Sequence, residues 1–160
     1  MTQRVRPSWD SVWMQMAETI AQRSHDNRCQ VGAVVVTSDN TQVLSVGYNG
    51  NYAGGPDCAE SDEPGMSGLL HAEINALLKL DYNNPKKKNL YVTMSPCAMC
   101  AKAIVDARID KIIFATPEPK TGSLISIDNI GISIWGWLLG GSIVGLNLKH
   151  KVSHSESATP

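Results

Sequence analysis

The sequence predicts a single α/β domain built around a mixed sheet of five strands, with helices on both faces. The chain has 160 residues, which is enough for one domain with a substantial core. Strands and helices alternate in its second half, an order typical of parallel strands joined by crossover helices. In the first half, two β-branched runs flank a turn-forming Ser-Asp-Asn, which predicts an antiparallel hairpin.

The first half of the chain is predicted to contain one helix, the hairpin and a long loop. The helix runs from Trp9 to about Ser24, because apolar residues recur there at helical spacing and Ser8 offers a capping hydroxyl. The hairpin strands cover 31–36 and 43–46. The loop at 49–68 is rich in Gly, Pro, Asn and Asp, and a loop of this length in a compact domain is usually functional.

The second half is predicted to contain short alternating elements. In chain order these are a helix at 72–80, a strand at 90–93, a helix at 96–107, a strand at 111–115, a short helix at 122–129 and a last strand at 130–135. The polar tail at 151–160 is predicted to be disordered, so the domain covers residues 1–150.

Composition and charge exclude several classes of protein. The chain carries 14 Lys+Arg against 15 Asp+Glu, a balance that does not suit a protein that coats nucleic acid duplexes. Four cysteines are too few for a disulfide scaffold, and the N-terminus lacks the apolar core of a signal peptide, so we expect a cytoplasmic protein. Residues 129–148 carry no charge and are long enough to cross a bilayer. Because they include five glycines, two serines and two asparagines, we expect no membrane contact.

A C-x-x-C pair, Cys97 and Cys100, stands at the start of a predicted helix. Ser95 is expected to cap this helix and Pro96 to occupy its first position. The i, i+3 spacing puts both sulfurs on one face, where the helix N-terminus would lower the pKa of both thiols. On its own, the pair fits a redox site, half of a structural zinc knuckle or two core cysteines.

The sequence His71-Ala-Glu73 favours a catalytic zinc site. Residues i and i+2 diverge by about 200° on a helix, so His71 and Glu73 can face one site only if His71 precedes the first helical turn. Two helix N-termini would then converge, and His71, Cys97 and Cys100 would hold zinc with one position left for water. Glu73 would not bind the metal but would transfer protons. The alternative is a core histidine beside a solvated glutamate.

The combination H-x-E…P-C-x-x-C is the signature of zinc-dependent deaminases. From Arg6 to Ile134 the sequence resembles the cytidine and deoxycytidylate deaminase superfamily, above all its deoxycytidylate branch. The segments that carry the resemblance are RPSWD, VGAV, GYNG followed by GG and Cys58, HAEINAL and LYVTMSPCAMCAKAI. The resemblance implies a cytidine deaminase-like three-layer α/β/α sandwich around the mixed five-stranded sheet.

The resemblance also implies an activity and a set of roles. The reaction would be zinc-dependent hydrolysis of dCMP to dUMP and ammonia, in pyrimidine deoxynucleotide metabolism. Asn49 would bind the sugar, the Ala72 backbone N–H the base carbonyl, and the Ser95 carbonyl the leaving amine. Glu73 would protonate the ring nitrogen and then the amine. The resemblance further implies that dCTP and dTTP act as effectors, with Mg²⁺ accompanying the triphosphate. It also implies a homo-oligomer that is a hexamer or is built from dimers.

The cysteines outside the signature depart from many relatives, which carry a second, structural zinc. Cys58 is retained, but Asp26 stands where a cysteine often does, and no histidine lies between Cys58 and His71. We therefore expect one zinc per chain and interpret Cys29 and Cys58 as small buried apolar residues.

Three alternative functions remain open from the sequence. Residues 117–123 resemble the corresponding segment of tRNA adenosine deaminases, which leaves a 5-substituted deoxycytidylate as an alternative substrate. Deamination of adenosine or cytidine in a nucleic acid is a second alternative, although only 6% of the residues are aromatic. A non-enzymatic zinc module would need all four cysteines and would leave His71 and Glu73 unused. Lys79 would be either a phosphate ligand or a solvated side chain.

Overall fold

The structure, a computed structural model, describes residues 3–116 and, for the main chain alone, residues 132–133 and 145–148. Over these residues the fold is a six-stranded mixed sheet with helices packed on both faces. The helices are α1 (Trp9–Ala21), α2 (Ala72–Leu77) and α3 (Ala98–Asp106). The strands are β1 (Gly32–Thr37), β2 (Val43–Tyr48), β3 (Lys88–Met94), β4 (Lys111–Thr116), β5 (Ile132–Ser133) and β6 (Gly145–Leu148).

The sheet confirms the predicted mixed class. Its strand order is β2-β1-β3-β4-β6-β5. Strands β1 and β2 form the predicted antiparallel hairpin, whereas β3 and β4 are parallel and are joined through α3. The structure describes six strands instead of five, because β6 lies between β4 and the short β5 where a single last strand at 130–135 was expected. The predicted helix at 122–129 and the tail at 151–160 lie outside the described residues.

Side chains of β1 alternate between the two faces and are buried on both. Val34 and Val36 pack with Tyr91 against Trp13 and Ala17 of α1 on one face. On the other face, alternate residues of β1, β3 and β4 pack against α2 and α3. The three-layer arrangement is therefore confirmed, and the layer made by α2 and α3 is the one that carries the predicted chemistry.

Two helix boundaries differ from the prediction. Helix α1 ends at Ala21, three residues early, because Ser24 leaves the helix and its hydroxyl donates to the Asn49 carbonyl at 3.0 Å. Helix α3 begins at Ala98 with Cys97 as its N-cap, so the prediction that Ser95 caps it is wrong. Ser95 instead extends the line of β3, with its N–H donating to the Thr116 carbonyl at 2.8 Å.

In the part of the chain that the structure describes, no helix combines the length and the apolar character needed to cross a bilayer.

Candidate active site and metal centre

The site lies where the N-termini of α2 and α3 meet. His71 is the N-cap of α2 and has an extended backbone, with φ −66° and ψ 152°. It therefore precedes the first helical turn, as the spacing to Glu73 predicts, and both side chains can face the same point. Cys97 occupies the same N-cap position on α3, and its sulfur accepts a hydrogen bond from the Cys100 N–H at 3.5 Å.

His71, Cys97 and Cys100 form a compact group of ligand atoms. The Nδ1 atom of His71 lies 3.6 Å from Cys97 Sγ and 3.3 Å from Cys100 Sγ. Tetrahedral zinc with ordinary Zn–N and Zn–S bond lengths separates a nitrogen and a sulfur ligand by about 3.6 Å. Among the described residues, this is the one group of three or more His, Cys, Asp or Glu side chains close enough to hold a metal ion together. Both the geometry and the donor types fit zinc.

The two cysteine thiols differ in acidity. Hydrogen bonds from Cys100 and His71 lower the pKa of Cys97 to about 3. The hydrogen bond that Cys100 gives to Cys97, together with burial and the nearby Glu73 carboxyl, raises the pKa of Cys100. The expectation that both thiols have a lowered pKa thus holds for Cys97 but not for Cys100, because two adjacent thiolates repel each other. A divalent cation between the sulfurs would supply the compensating charge.

Glu73 is a carboxyl group buried beside the metal ligands. The residue is 4% exposed, and burial raises the pKa of its carboxyl to about 7. Loss of hydration disfavours the charged form, which explains the direction of this shift. A carboxyl with a pKa near neutrality can both accept and donate a proton at physiological pH, as general acid–base catalysis requires.

A cavity of about 540 Å³ opens over this group. The predicted contact residues Asn49, Ala72 and Ser95 all line it, together with His71 and Glu73. The remaining lining residues come mainly from segments 26–31 and 64–69. A volume of this size falls in the usual range for small-ligand sites. The structure thus places six of the seven predicted site residues in the wall of one cavity, and the seventh, Cys100, is buried behind the wall in contact with His71.

The Asn49 side chain also connects two backbone segments, a role that the sequence did not predict. Its Oδ1 accepts from the Val31 N–H at 2.8 Å, and its Nδ2 donates to the Cys29 carbonyl at 2.7 Å. The residue is 8% exposed, so these bonds join the start of β1 to the loop after β2. Each amide atom keeps one further hydrogen-bonding position for a ligand.

Arg28 and Asp26 are functional candidates that the sequence analysis missed. Both line the cavity. The Asp26 carboxylate, on a residue that is 6% exposed, accepts from the Arg28 N–H at 2.8 Å and lies 3.6 Å from the Arg28 Nε. Arg28 also donates to the Asp62 carbonyl. The signal available in the sequence was the Asp-x-Arg spacing, which permits an aspartate to close a local turn and hold an arginine.

The structure bears on the interpretations of three further residues near the site, which are Cys29, Cys58 and Lys79. Cys58 is exposed, so its interpretation as a buried apolar residue is wrong, and Cys29 is half-buried. Lys79 lies outside the set of residues that line the cavity. Its Nζ donates to the Val46 carbonyl at 3.1 Å and lies 5.9 Å from the centre of the Tyr48 ring. The residue is exposed, which agrees with the solvated alternative, and its contacts link the turn after α2 to β2.

A three-layer α/β/α domain with a His-Cys-Cys group and a buried glutamate at paired helix N-termini defines the class of zinc-binding deaminases. The family model described as "Cytidine and deoxycytidylate deaminase zinc-binding region" matches residues 7–116, and the chain belongs to this family.

Comparison with individual proteins agrees with this assignment. The chain is 36% identical to the deoxycytidylate deaminase of Mycobacterium phage D29 over 124 residues, which cover 68% of this chain and 95% of that protein. It is also 36% identical to the human deoxycytidylate deaminase over 118 residues, 69% of this chain and 66% of the relative. Its structure is similar to that of the dCMP deaminase from cyanophage S-TIM5 in complex with dCMP and dUMP. That match has a TM-score of 0.68 and 30% identity, and it covers 80% of this chain and 96% of the other.

Proposed function

We propose that this protein catalyses the hydrolytic deamination of dCMP to dUMP and ammonia. The observation that carries the proposal is the buried Glu73 carboxyl beside a His-Cys-Cys group, in the wall of a cavity large enough for a nucleotide. Relatives named deoxycytidylate deaminase, which the chain matches over most of its length, support the choice of substrate.

His71, Cys97 and Cys100 would hold a single zinc ion per chain. When bound, zinc supplies a water molecule that ionises near neutral pH. The three ligands come from two helix N-termini packed on one face of the sheet, so their positions are set before any ligand arrives. This rigidity keeps the reacting groups aligned and lowers the cost of reaching the transition state.

Glu73 would move the protons of the reaction. In its protonated form it would donate to the ring nitrogen of cytosine, which makes the adjacent C4 carbon a better electrophile. It would then take the proton released by the attacking water and pass it to the amine. As the C4–N bond breaks and ammonia leaves, the remaining proton of the C4 hydroxyl would return to Glu73, which forms the carbonyl of dUMP and restores the protonated carboxyl. A pKa of about 7 suits both directions of transfer.

The cavity walls would orient the nucleotide. The backbone N–H of Ala72 lies in the first turn of α2, a position where helical N–H groups have no partner within the helix, and would bind the base carbonyl. The Ser95 carbonyl would accept from the amine, and the remaining positions of Asn49 would bind the sugar. Arg28, held by Asp26, would bind the 5′-phosphate, because a guanidinium matches two phosphate oxygens at once.

The proposed function includes an oligomeric state and nucleotide effectors. We propose a cytoplasmic homo-oligomer, a hexamer or an assembly of dimers, that responds to dCTP and dTTP in the presence of Mg²⁺. Leu78 and Tyr82, which follow α2, are 70% and 61% exposed, and a second subunit would cover such apolar surface. Light scattering of the purified protein with and without each nucleotide tests the assembly.

The substrate is tested by following the loss of cytosine absorbance with purified, zinc-loaded protein. The substrates to compare are dCMP, its 5-methyl derivative, deoxycytidine and a single-stranded oligonucleotide. We expect dCMP to have the highest kcat/KM. Preference for the 5-methyl nucleotide or the oligonucleotide would replace dCMP with the corresponding alternative, and activity on none of them with dCTP supplied would contradict deamination of this base.

A further inference from the structure

His25 joins two segments that form walls of the cavity. Its ring Nδ1 accepts from the backbone N–H of Asn51 at 3.1 Å, and its own backbone N–H donates to the Asn49 carbonyl at 3.2 Å. The same Asn49 carbonyl accepts from the Ser24 hydroxyl at 3.0 Å. The segment 24–28 and the loop 49–51 are therefore held together by three hydrogen bonds, and one of them uses the imidazole ring.

The hydrogen bond from Asn51 determines which ring nitrogen of neutral His25 carries the proton. Because Nδ1 accepts a hydrogen bond, the proton of the neutral imidazole is on Nε2. Nε2 lies 3.4 Å from the Asp57 carboxylate, whose side chain is 92% exposed. A contact between a neutral Nε2–H and so exposed a carboxylate contributes little. The ring is also fixed by an edge-on contact with Tyr48, at 5.6 Å between ring centres. The bond to Asn51 is therefore the contact through which the side chain of His25 acts.

The position of this bond links it to the site. Asn49 lines the cavity, and Gly50 pairs with Leu70 by backbone hydrogen bonds of 3.0 and 2.9 Å. Leu70 immediately precedes His71. Asn51 lies two residues after Asn49, so a displacement at Asn51 would act on the cavity wall through Asn49. The pairing of Gly50 with Leu70 would meanwhile keep the metal ligand His71 in place.

We propose that His25 is a positioning residue for nucleotide binding: its Nδ1 atom fixes the loop after β2 against segment 24–28 and so preorganises the cavity for the substrate. This inference rests on the proposed deamination of dCMP. Loss of the Nδ1 acceptor would raise KM and leave kcat nearly unchanged, because Glu73 and the metal ligands do not depend on it. A structural role alone would lower the amount of active protein instead.

Two variants of similar polarity distinguish the roles of the two ring nitrogens of His25. Asparagine in His25→Asn puts its Oδ1 near the position of Nδ1 and keeps an acceptor for Asn51. Glutamine in His25→Gln reaches towards the Nε2 position and leaves the Asn51 N–H without that acceptor. Asp57→Asn is the matched control, since it removes the charge that faces Nε2 and leaves the bond to Asn51 intact.

The experiment measures steady-state kinetics with dCMP and, on the same proteins, the amide exchange rate of Asn51 by NMR. We expect His25→Gln to raise KM about fivefold, the effect of one hydrogen bond, with kcat within about twofold. Exchange at Asn51 should be faster in that variant. His25→Asn and Asp57→Asn should stay close to the wild type in both measurements.

Each failure has a different meaning. Equal KM values and equal Asn51 exchange in His25→Gln and His25→Asn would overturn the role of Nδ1. A change confined to kcat would also overturn it. A wild-type protein that does not deaminate dCMP would contradict the proposed function, and the exchange rates would still decide whether His25 holds the loop.

Discussion

Gly47 on β2 lies directly beneath Ala72, the first residue of α2. A β carbon at Gly47 would stand 2.3 Å from the Ala72 carbonyl oxygen and 2.5 Å from the Ala76 nitrogen. Both neighbours are backbone atoms, so neither can move aside without moving the helix. The absence of a side chain at Gly47 thus sets the distance between the sheet and the helix whose N-terminus presents His71 and Glu73.

Gly47→Ala should therefore impair the site as well as the fold. We expect a loss of stability of about 1–3 kcal/mol, typical of overpacking, and a clear loss of zinc affinity. The comparison is Gly32→Ala, where the β carbon would meet the Ala17 carbonyl oxygen at 2.0 Å, on the opposite face under α1. Thermal unfolding and metal titration of both variants test this. Equal effects on zinc affinity would show that α2 is not positioned by Gly47.

The metal ligands can be tested apart from activity. Elemental analysis of the purified wild type should find about one zinc per chain, and His71→Ala or Cys100→Ser should lose most of it. Cys58→Ser is the control, because Cys58 is exposed and lies outside the ligand group. Two zinc ions per chain, or loss of zinc in Cys58→Ser, would contradict the assignment of the ligands.

Tyr91 ties the first turn of α1 to the centre of the sheet. The Tyr91 side chain is buried, and its hydroxyl donates a hydrogen bond to Asp10 Oδ1 at 2.6 Å. Tyr91→Phe should destabilise the fold by about 1.5–3 kcal/mol, the range for hydrogen bonds to charged groups. Activity below the melting temperature should not change, because this face is opposite the site. Denaturant unfolding measures the loss, and a variant as stable as the wild type would contradict it.

Asp39 makes stability depend on pH in the acid range. Hydroxyls of Thr37 and Thr41, the Thr41 N–H and the charge of Lys86 hold the pKa of its carboxyl below its ordinary value of 3.8. A lowered folded-state pKa stabilises the protein above the unfolded value, and this stabilisation is lost as pH falls below about 4. Asp39→Asn should therefore melt below the wild type at pH 7, with a smaller difference at pH 2.5. If the difference in melting temperature between Asp39→Asn and the wild type does not shrink on acidification, the charge of Asp39 is not the source of the stabilisation.

The positions of the metal ligands could be predicted because a local rule determines them. His71 and Glu73 are two residues apart, and only a break in helical geometry between them lets both face one point, which is what the N-cap conformation of His71 provides. The hairpin and the parallel crossover followed in the same way from β-branched runs and their separation.

Contacts between distant segments could not be predicted from the sequence. Asn49 binds backbone groups of Cys29 and Val31, some 20 residues earlier, and no local pattern announces such a pairing. The prediction that Ser95 caps α3 is wrong for a related reason. Serine is the better capping residue by preference, but the backbone hydrogen bond from Ser95 to Thr116 ties Ser95 to the end of β4 and leaves the cap to Cys97.

The measurement that tests the central claim most directly is the deamination of dCMP by the wild type and by Glu73→Gln, with zinc content determined on the same samples. We expect the wild type to convert dCMP to dUMP, and the variant to keep its zinc while losing at least about 100-fold in kcat. Glu63→Gln, an exposed glutamate outside the cavity, should retain full activity. A Glu73→Gln enzyme that holds zinc and turns over dCMP at the wild-type rate would contradict the role of Glu73 as the proton carrier.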